Sequence, residues 1–337
     1  MNAKSWIKWP LMALLMVATF TACDDDDDED LVGNWIVKGA FDGWPRSGAA
    51  AFVIDQYAYM TTGYNGEEDE RLTDTWRYDP SNDTWSQVAD FPGVGRNKGV
   101  GFAAGGKGVV GSGYDGTNKL KDFFIYDPAT NTWGETGTFP GSARYSAVAF
   151  GIGEYGYVGT GYDGNILKDF YCFNPSTNAW ETIASIGGSK RRDATSFVIN
   201  NKAYVVTGMD NSLYVKDMWE FDPTTRSWTE KRKIANVSDD SYDDEYNIAG
   251  SSKVGFAING TGYVTTGGSG TAGSTTWEYN PVTDLWAEKS NFEGSARMEA
   301  IAFAIGNQAF VASGRSSGYY FDDVYTFDPS AEQEDND

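Results

Sequence analysis

Residues 144–180 read Arg144-Tyr-Ser-Ala-Val-Ala-Phe150, then Tyr157-Val-Gly-Thr-Gly-Tyr162-Asp-Gly, then Lys168-Asp-Phe-Tyr171-Cys-Phe-Asn-Pro175, closing on Asn178-Ala-Trp180. Short runs of aromatic and small apolar residues, cut by turns rich in Gly, Asp, Asn and Pro, specify four short strands and no helix. Working outward, the same unit returns about every 48 residues, with its closing tryptophans at Trp85, Trp133, Trp180, Trp228 and Trp286. A sixth closing element, Gly33-Asn34-Trp35-Ile36-Val37, stands at the front of the chain. Conversely, the last unit ends at Tyr325-Thr-Phe-Asp328-Pro329 without its tryptophan. The first strand must then complete the last unit, which makes sense only for a closed ring of six. A solenoid of hairpins would not share one unit between its two ends. Blades that stack on both neighbours are apolar on both faces, which accounts for 12 Trp, 20 Tyr and 19 Phe beside 40 Gly.

This pattern resembles the Kelch-repeat β-propeller family over residues 33–329. The Tyr-Asp-Pro and Asn-Thr-Trp elements match closely. The usual Gly-Gly pair is mostly Thr-Gly or Ser-Gly followed by Tyr, except at Gly267-Gly268. The expected fold is all-β: a six-bladed Kelch-type propeller over 33–330, its ring closed by the N-terminal strand completing the last blade, followed by an acidic disordered tail at 331–337.

The intervals between landmarks separate a rigid face from a variable one. From closing Trp to the next Phe the interval is 17 residues in five units, as in Trp35–Phe52 and Trp133–Phe150, but 28 for Trp228–Phe256. From that Phe to the turn Gly it is 11 throughout, and from the third-strand aromatic to the Trp it is 9. The stretch from turn Gly to third strand drifts, being 13 for Gly63–Trp76 and 10 for Gly161–Tyr171. In a four-stranded antiparallel blade the second connection and the blade-to-blade link emerge together, so length variation falls on one face. Variable loops on a fixed scaffold are where binding resides.

Residues around that face follow from the repeat. Tyr64, Tyr114, Tyr162, Met209, Gly268 and Arg315 stand just after each turn Gly. Arg46, Arg96, Arg144, Arg191, Gly250 and Arg297 lie six residues before each Phe, and Gly48, Lys98, Ser146, Asp193, Ser252 and Glu299 two positions further, nearer the axis. The resemblance to peptide-binding Kelch domains implies ligand contacts at Tyr64, Tyr114, Tyr162 and Arg315, with Lys98, Asp193 and Glu299 inward of them. The repeating arginines read as structural, capping loop carbonyls and pairing with loop acids. Asp74, Asp122, Asp169, Asp217 and Asp323 read as turn residues. The axial positions differ from blade to blade, which a purely structural role does not require. The insert containing Ser238-Asp-Asp-Ser-Tyr-Asp-Asp-Glu-Tyr246 carries enough oxygens for calcium but lacks EF-hand spacing, and reads as a solvated loop.

Ahead of the ring, residues 1–22 read as a secretory signal. Lys4 and Lys8 precede an apolar run of 12 residues, Trp9 to Phe20, short of the ~20 needed to span a bilayer. Phe20-Thr21-Ala22-Cys23 resembles a bacterial lipobox, which implies lipidation at Cys23. Residues 23–32 then form a lipidated cysteine and acidic tether, Asp24–Asp30 being self-repelling. An acidic run at that place resembles the surface-export signal of one group of Gram-negative bacteria, implying a lipid-anchored protein of the bacterial envelope at the outer-membrane surface. In other Gram-negative bacteria an Asp there implies retention at the inner membrane. Cys172, the only other cysteine, reads as a buried small side chain.

Composition removes several chemistries. With no histidine, imidazole metal sites and His-based nucleophile systems are excluded, copper-type oxidation among them. A formal charge of -22 argues against a nucleic-acid surface. No cofactor and no metal are expected. The reading is a monomeric binding or scaffold propeller for a glycan, peptide or protein, with an acidic surface favouring neutral or basic ligands. Binding is favoured over catalysis. The alternative is a sugar epimerase or mutarotase of the sialic-acid type, which some bacterial six-bladed Kelch proteins are, using a carboxylate and a cation near the axis.

Overall fold

The structure, a computed structural model, describes residues 31–334. The signal segment 1–22, Cys23, the acidic run 24–30 and residues 335–337 lie outside the described residues. Six antiparallel four-stranded sheets surround one axis. Their innermost strands are Ala50–Ile54 (blade 1), Val100–Ala104 (blade 2), Val148–Ile152 (blade 3), Thr195–Ile199 (blade 4), Val254–Ile258 (blade 5) and Ile301–Ile305 (blade 6). Each touches the next, and blade 6 touches blade 1, so the ring is closed. A narrow channel of about 210 Å³ runs between them, lined by small residues such as Ala51, Gly101, Ala149 and Gly255. The neighbouring backbones leave little room there: a Cβ on Gly101 would lie 2.5 Å from the Ala51 carbonyl oxygen.

Blade 6 is assembled from both ends of the chain. Val32–Lys38 pairs antiparallel with Val324–Glu332, with Trp35 opposite Phe327 and Val32 opposite Glu332 across a bulge. Ala331 and Glu332, expected to open a disordered tail, therefore continue a strand, because the first strand offers them a partner.

Aromatic packing repeats around the ring. In five blades the inner-strand Phe stacks on a ring of the next strand, as Phe52 on Tyr59 at 5.0 Å and 9°, while in blade 2 Phe102 faces Val109. The edge of the inner-strand Phe meets the closing Trp of the following blade: Phe52–Trp133 at 6.4 Å, Phe102–Trp180 at 6.4 Å, Phe150–Trp228 at 6.5 Å and Phe197–Trp286 at 6.2 Å. Trp35 takes this role for blade 6, meeting Phe256 at 6.3 Å and 87°. The Tyr-Asp-Pro and Asn-Thr-Trp elements are tied together at the rigid turns. Tyr126 donates to Asn131 (2.8 Å), Tyr78 to Asp83 (2.7 Å) and Tyr279 to Asp284 (2.8 Å). Each acceptor has a left-handed backbone, with φ between 52° and 58°, which Asn and Asp tolerate better than most residues.

The insert before blade 5 differs from the solvated loop expected. A 3-10 turn, Ser241–Asp243, carries Asp243 inward, where it accepts hydrogen bonds from the Val237 and Ser238 amides and the Ser238 hydroxyl. Tyr246 donates to the Trp286 carbonyl and accepts from its amide. Ile234 and Ile248 are fully buried beneath it. The acids made the segment look solvated, but two aromatics and two isoleucines give it an anchored underside. Cys172 is buried, and burial pushes its thiol up to about 11, out of the nucleophilic range.

Candidate functional site at the propeller mouth

Two closed belts of backbone hydrogen bonds shape the loop face. In the outer belt the turn-Gly amide of each blade donates to the carbonyl six residues before the next blade's Phe: Gly63 to Arg96, Gly113 to Arg144, Gly161 to Arg191, Gly208 to Gly250, Gly267 to Arg297 and Gly314 to Arg46. In the inner belt Lys98 N donates to Gly48 O, Ser146 to Lys98, Asp193 to Ser146, Ser252 to Asp193, Glu299 to Ser252 and Gly48 to Glu299. That cycle returns to its start, and all six residues have φ between 54° and 60°. Five of the six are not glycine, and each stores ~1–2 kcal/mol of left-handed strain. Gly48 shows that glycine fits this position. Side chains retained against strain point to a use for them.

The arginines support these belts from below. Arg46, Arg96, Arg144, Arg191 and Arg297 are completely buried. Arg46 Nη1 donates to the Thr62 carbonyl (3.0 Å) and to Asp74 (2.7 Å), while Nη2 reaches the second Asp74 oxygen (2.7 Å). The same pattern joins Arg96 to Ser112 and Asp122, Arg144 to Thr160 and Asp169, and Arg297 to Ser313 and Asp323. Arg191 joins Thr207 and Asp217 similarly. The acids read from the sequence as turn residues are thus ion-pair partners. The arginines they hold brace the carbonyls of Thr62 and its equivalents, themselves left-handed at φ 54° to 62°.

Lys98, Glu299 and Arg315 form one cluster near the axis. Glu299 accepts from Lys98 Nζ at 2.8 Å and from Arg315 Nε and Nη2 at 3.0 and 3.1 Å. Burial would raise the Glu299 carboxyl, but its two cations outweigh this and hold it at about 2. Burial likewise opposes charge on Lys98, yet Glu299 and Asp193 raise it above the ordinary lysine value. Asp193 lies 3.7 Å from Arg192 Nε. Because the folded Glu299 value lies below its ordinary 4.5, its stabilisation is full above pH 4.5 and disappears as pH falls through about 2. Glu299→Gln should therefore cost ~3 kcal/mol at pH 6, with the gap from wild type closing toward pH 2 in denaturant titrations. A gap that does not vary with pH would contradict this cluster.

Tyr64, Tyr114, Tyr162 and Arg315 occupy equivalent bridges: Ser47↔Tyr64, Asn97↔Tyr114, Tyr145↔Tyr162 and Met298↔Arg315. All four therefore stand on one face, beside the axial residues. The tyrosines belong to a longer arc. Tyr320 contacts Tyr64 (5.8 Å), Arg71 lies over both Tyr64 (5.0 Å) and Tyr114 (5.3 Å), and Tyr145 contacts Tyr114 (5.6 Å) and Tyr162 (5.5 Å). Arg192 then lies over Tyr162 at 5.7 Å. These cations engage ring faces, so the rings are not bare stacking platforms and the mouth is more cationic than the net charge suggested.

Sequence reasoning missed Arg71, Tyr145, Arg192 and Tyr320. Tyr145 and Arg192 stand between the buried Arg and the axial residue, at a position otherwise held by Ser47, Asn97, Ser251 and Met298. That variety was a signal as good as the one at the axial position. Arg71 and Tyr320 arrive through small hairpins, Tyr64 pairing with Arg71 and Arg315 with Tyr320, whose register no repeat spacing reveals.

Comparison with known proteins bears on the repeats and the fold. Residues 44–191 match the KLHDC2/KLHL20/DRC7 Kelch-repeats domain and residues 190–233 match the Kelch motif. No curated protein matches the sequence. Among solved structures, that of YjhT aligns with a TM-score of 0.70 at 15% identity, covering 85% of this chain and 95% of that one, a likeness of fold. The chain carries Kelch repeats and folds as an all-β, six-bladed β-propeller.

Proposed function

We propose that the protein is a non-enzymatic binding or scaffold propeller that takes a peptide or glycan ligand at the mouth, on the face of the second connections. The carrying observation is the continuous arc Tyr320–Tyr64–Arg71–Tyr114–Tyr145–Tyr162–Arg192 around the Lys98–Glu299–Arg315 cluster. Rings that meet edge to face, with cations overlying them, suit a ligand with flat apolar segments and carboxylate, hydroxyl or amide groups. The cationic rim extends the ligand range beyond neutral and basic species to acidic ones.

The electrostatics support binding over the epimerase alternative. A carboxylate held at about 2 by two cations is a weak proton acceptor at neutral pH, and the lysine beside it is stabilised in its charged form. A general base poised near neutrality needs the reverse arrangement. Anchoring through a lipid on Cys23, at the outer surface of a bacterial envelope, completes the proposal; intact mass of the membrane-extracted protein tests it, and an unacylated Cys23 refutes it.

Peptide and glycan arrays probed with the full chain should return a ligand whose affinity falls at least tenfold in Tyr114→Ala and in Tyr162→Ala. Each change removes a ring of the arc together with its cation contact, ~1.5–2 kcal/mol. Retained affinity in both variants would place the ligand elsewhere.

A further inference from the structure

Blade 5 breaks the pattern of the other five. Gly250 stands where they have the buried Arg, and Thr275 stands where they have the paired Asp. Lys253 occupies a position held elsewhere by Ala49, Gly99, Ala147, Ala194 and Ala300. These exchanges are coupled in space: a Cβ on Gly250 would lie 2.9 Å from Lys253 Cε, so the absent Arg makes room for the lysine stem. Lys253 Nζ donates to the Thr266 carbonyl at 3.0 Å, the equivalent of the carbonyl that Arg46 Nη1 caps on Thr62. In blade 1 that same Nη1 also holds Asp74 at 2.7 Å. The ammonium of Lys253 thus sits at the guanidinium's place with no acid beside it among the described residues. It is 7% exposed, and burial alone pulls it from 10.5 to about 8.

A buried cation without a counter-charge is costly. Here it borders a cavity of about 200 Å³, lined also by Asn247, Gly268, Thr271, Gly273 and Thr275. Asn247 and Thr271 are exposed, so the cavity opens to solvent. We propose that this cavity is a second ligand site, accepting a carboxylate group that pairs with Lys253 in the position the other blades fill with their own aspartate. The size fits a compact planar anion, such as an acidic side chain or chain terminus, and the Thr271 and Thr275 hydroxyls and Asn247 amide supply further donors. The site lies in blade 5, which contributes no residue to the aromatic arc.

The test is titration of the full chain with acetate, followed through the backbone amide resonances of Gly268 and Gly273, with acetamide as the neutral isostere and inorganic phosphate as a competing anion. Acetate should shift both resonances saturably in the millimolar range, and acetamide should not. Lys253→Met should abolish the shift. Thr275→Asp, which restores the internal partner, should weaken acetate at least tenfold and decides the matter if Lys253→Met fails to fold. Equal response to acetamide, tighter binding of phosphate, or acetate binding unchanged in Thr275→Asp would each overturn the proposal.

Discussion

Trp35→Ala is expected to lower the unfolding free energy by ~3–5 kcal/mol, the range for deleting a fully buried large aromatic. Trp35 is completely buried and packs against Phe256, Phe292 and Phe327. It therefore contributes to blade 6 itself and to the interface between blades 5 and 6. The first strand reaches its blade without a covalent turn to the strand it pairs with, so loss of its anchor exposes the edge of Val324–Glu332 and opens the ring at that seam. The matched control is Trp85→Ala, which removes a similarly buried ring (6% exposed) from blade 1, where the outer strand is held by a short turn. Denaturant unfolding should show the larger loss for Trp35, with most of the difference in the unfolding rate. Equal losses would mean that the seam contributes nothing beyond ring packing.

Asp217→Ala is expected to be nearly as damaging, at ~3–5 kcal/mol, because it leaves the Arg191 guanidinium buried without its counter-charge. Burial already opposes charge on Arg191, and Asp217 is what offsets it. The acid is 10% exposed here, against 18% for Asp74, 30% for Asp323, 32% for Asp169 and 43% for Asp122. Where water reaches the site, the stranded arginine can be solvated in part. Alanine substitutions should therefore rank in that order, Asp217 worst and Asp122 mildest, in chemical unfolding at neutral pH. An order unrelated to exposure would show that these pairs act through local turn geometry instead. Blade 5 lacks the pair altogether, which is why its lysine stands out as a place for an incoming acid.

Much of the architecture was legible because repetition makes each landmark appear several times. One Trp at position 35 and one missing after Pro329 implied the shared blade, since a β-edge seeks a partner and a ring supplies one. The rigid turns were legible for a similar reason: Asn131, Asp83 and Asp284 need left-handed backbone and a tyrosine hydroxyl to hold them, and both residue types recur at fixed distance. The axial positions of Lys98, Asp193 and Glu299 could be marked as inward because they share a repeat position, and so could Tyr64, Tyr114 and Tyr162.

What those residues do to one another could not be read in the same way. Glu299 and Lys98 are about 200 residues apart, and only closure of the ring places them 2.8 Å from each other. The interposed Arg71 depends on the pairing of a two-residue hairpin, and the anchored acidic insert depends on a tyrosine reaching Trp286, 40 positions away. Lys253 looks like an ordinary surface lysine until the empty places at Gly250 and Thr275 are seen around it. Periodic apolar spacing acts locally and survives in the one-dimensional order of the chain, so it determined the number of blades, their strands and the face on which loop lengths vary. Charge partnerships and the aromatic arc act across blades, through distances that exist only after the ring has closed, and the tertiary structure alone decided them.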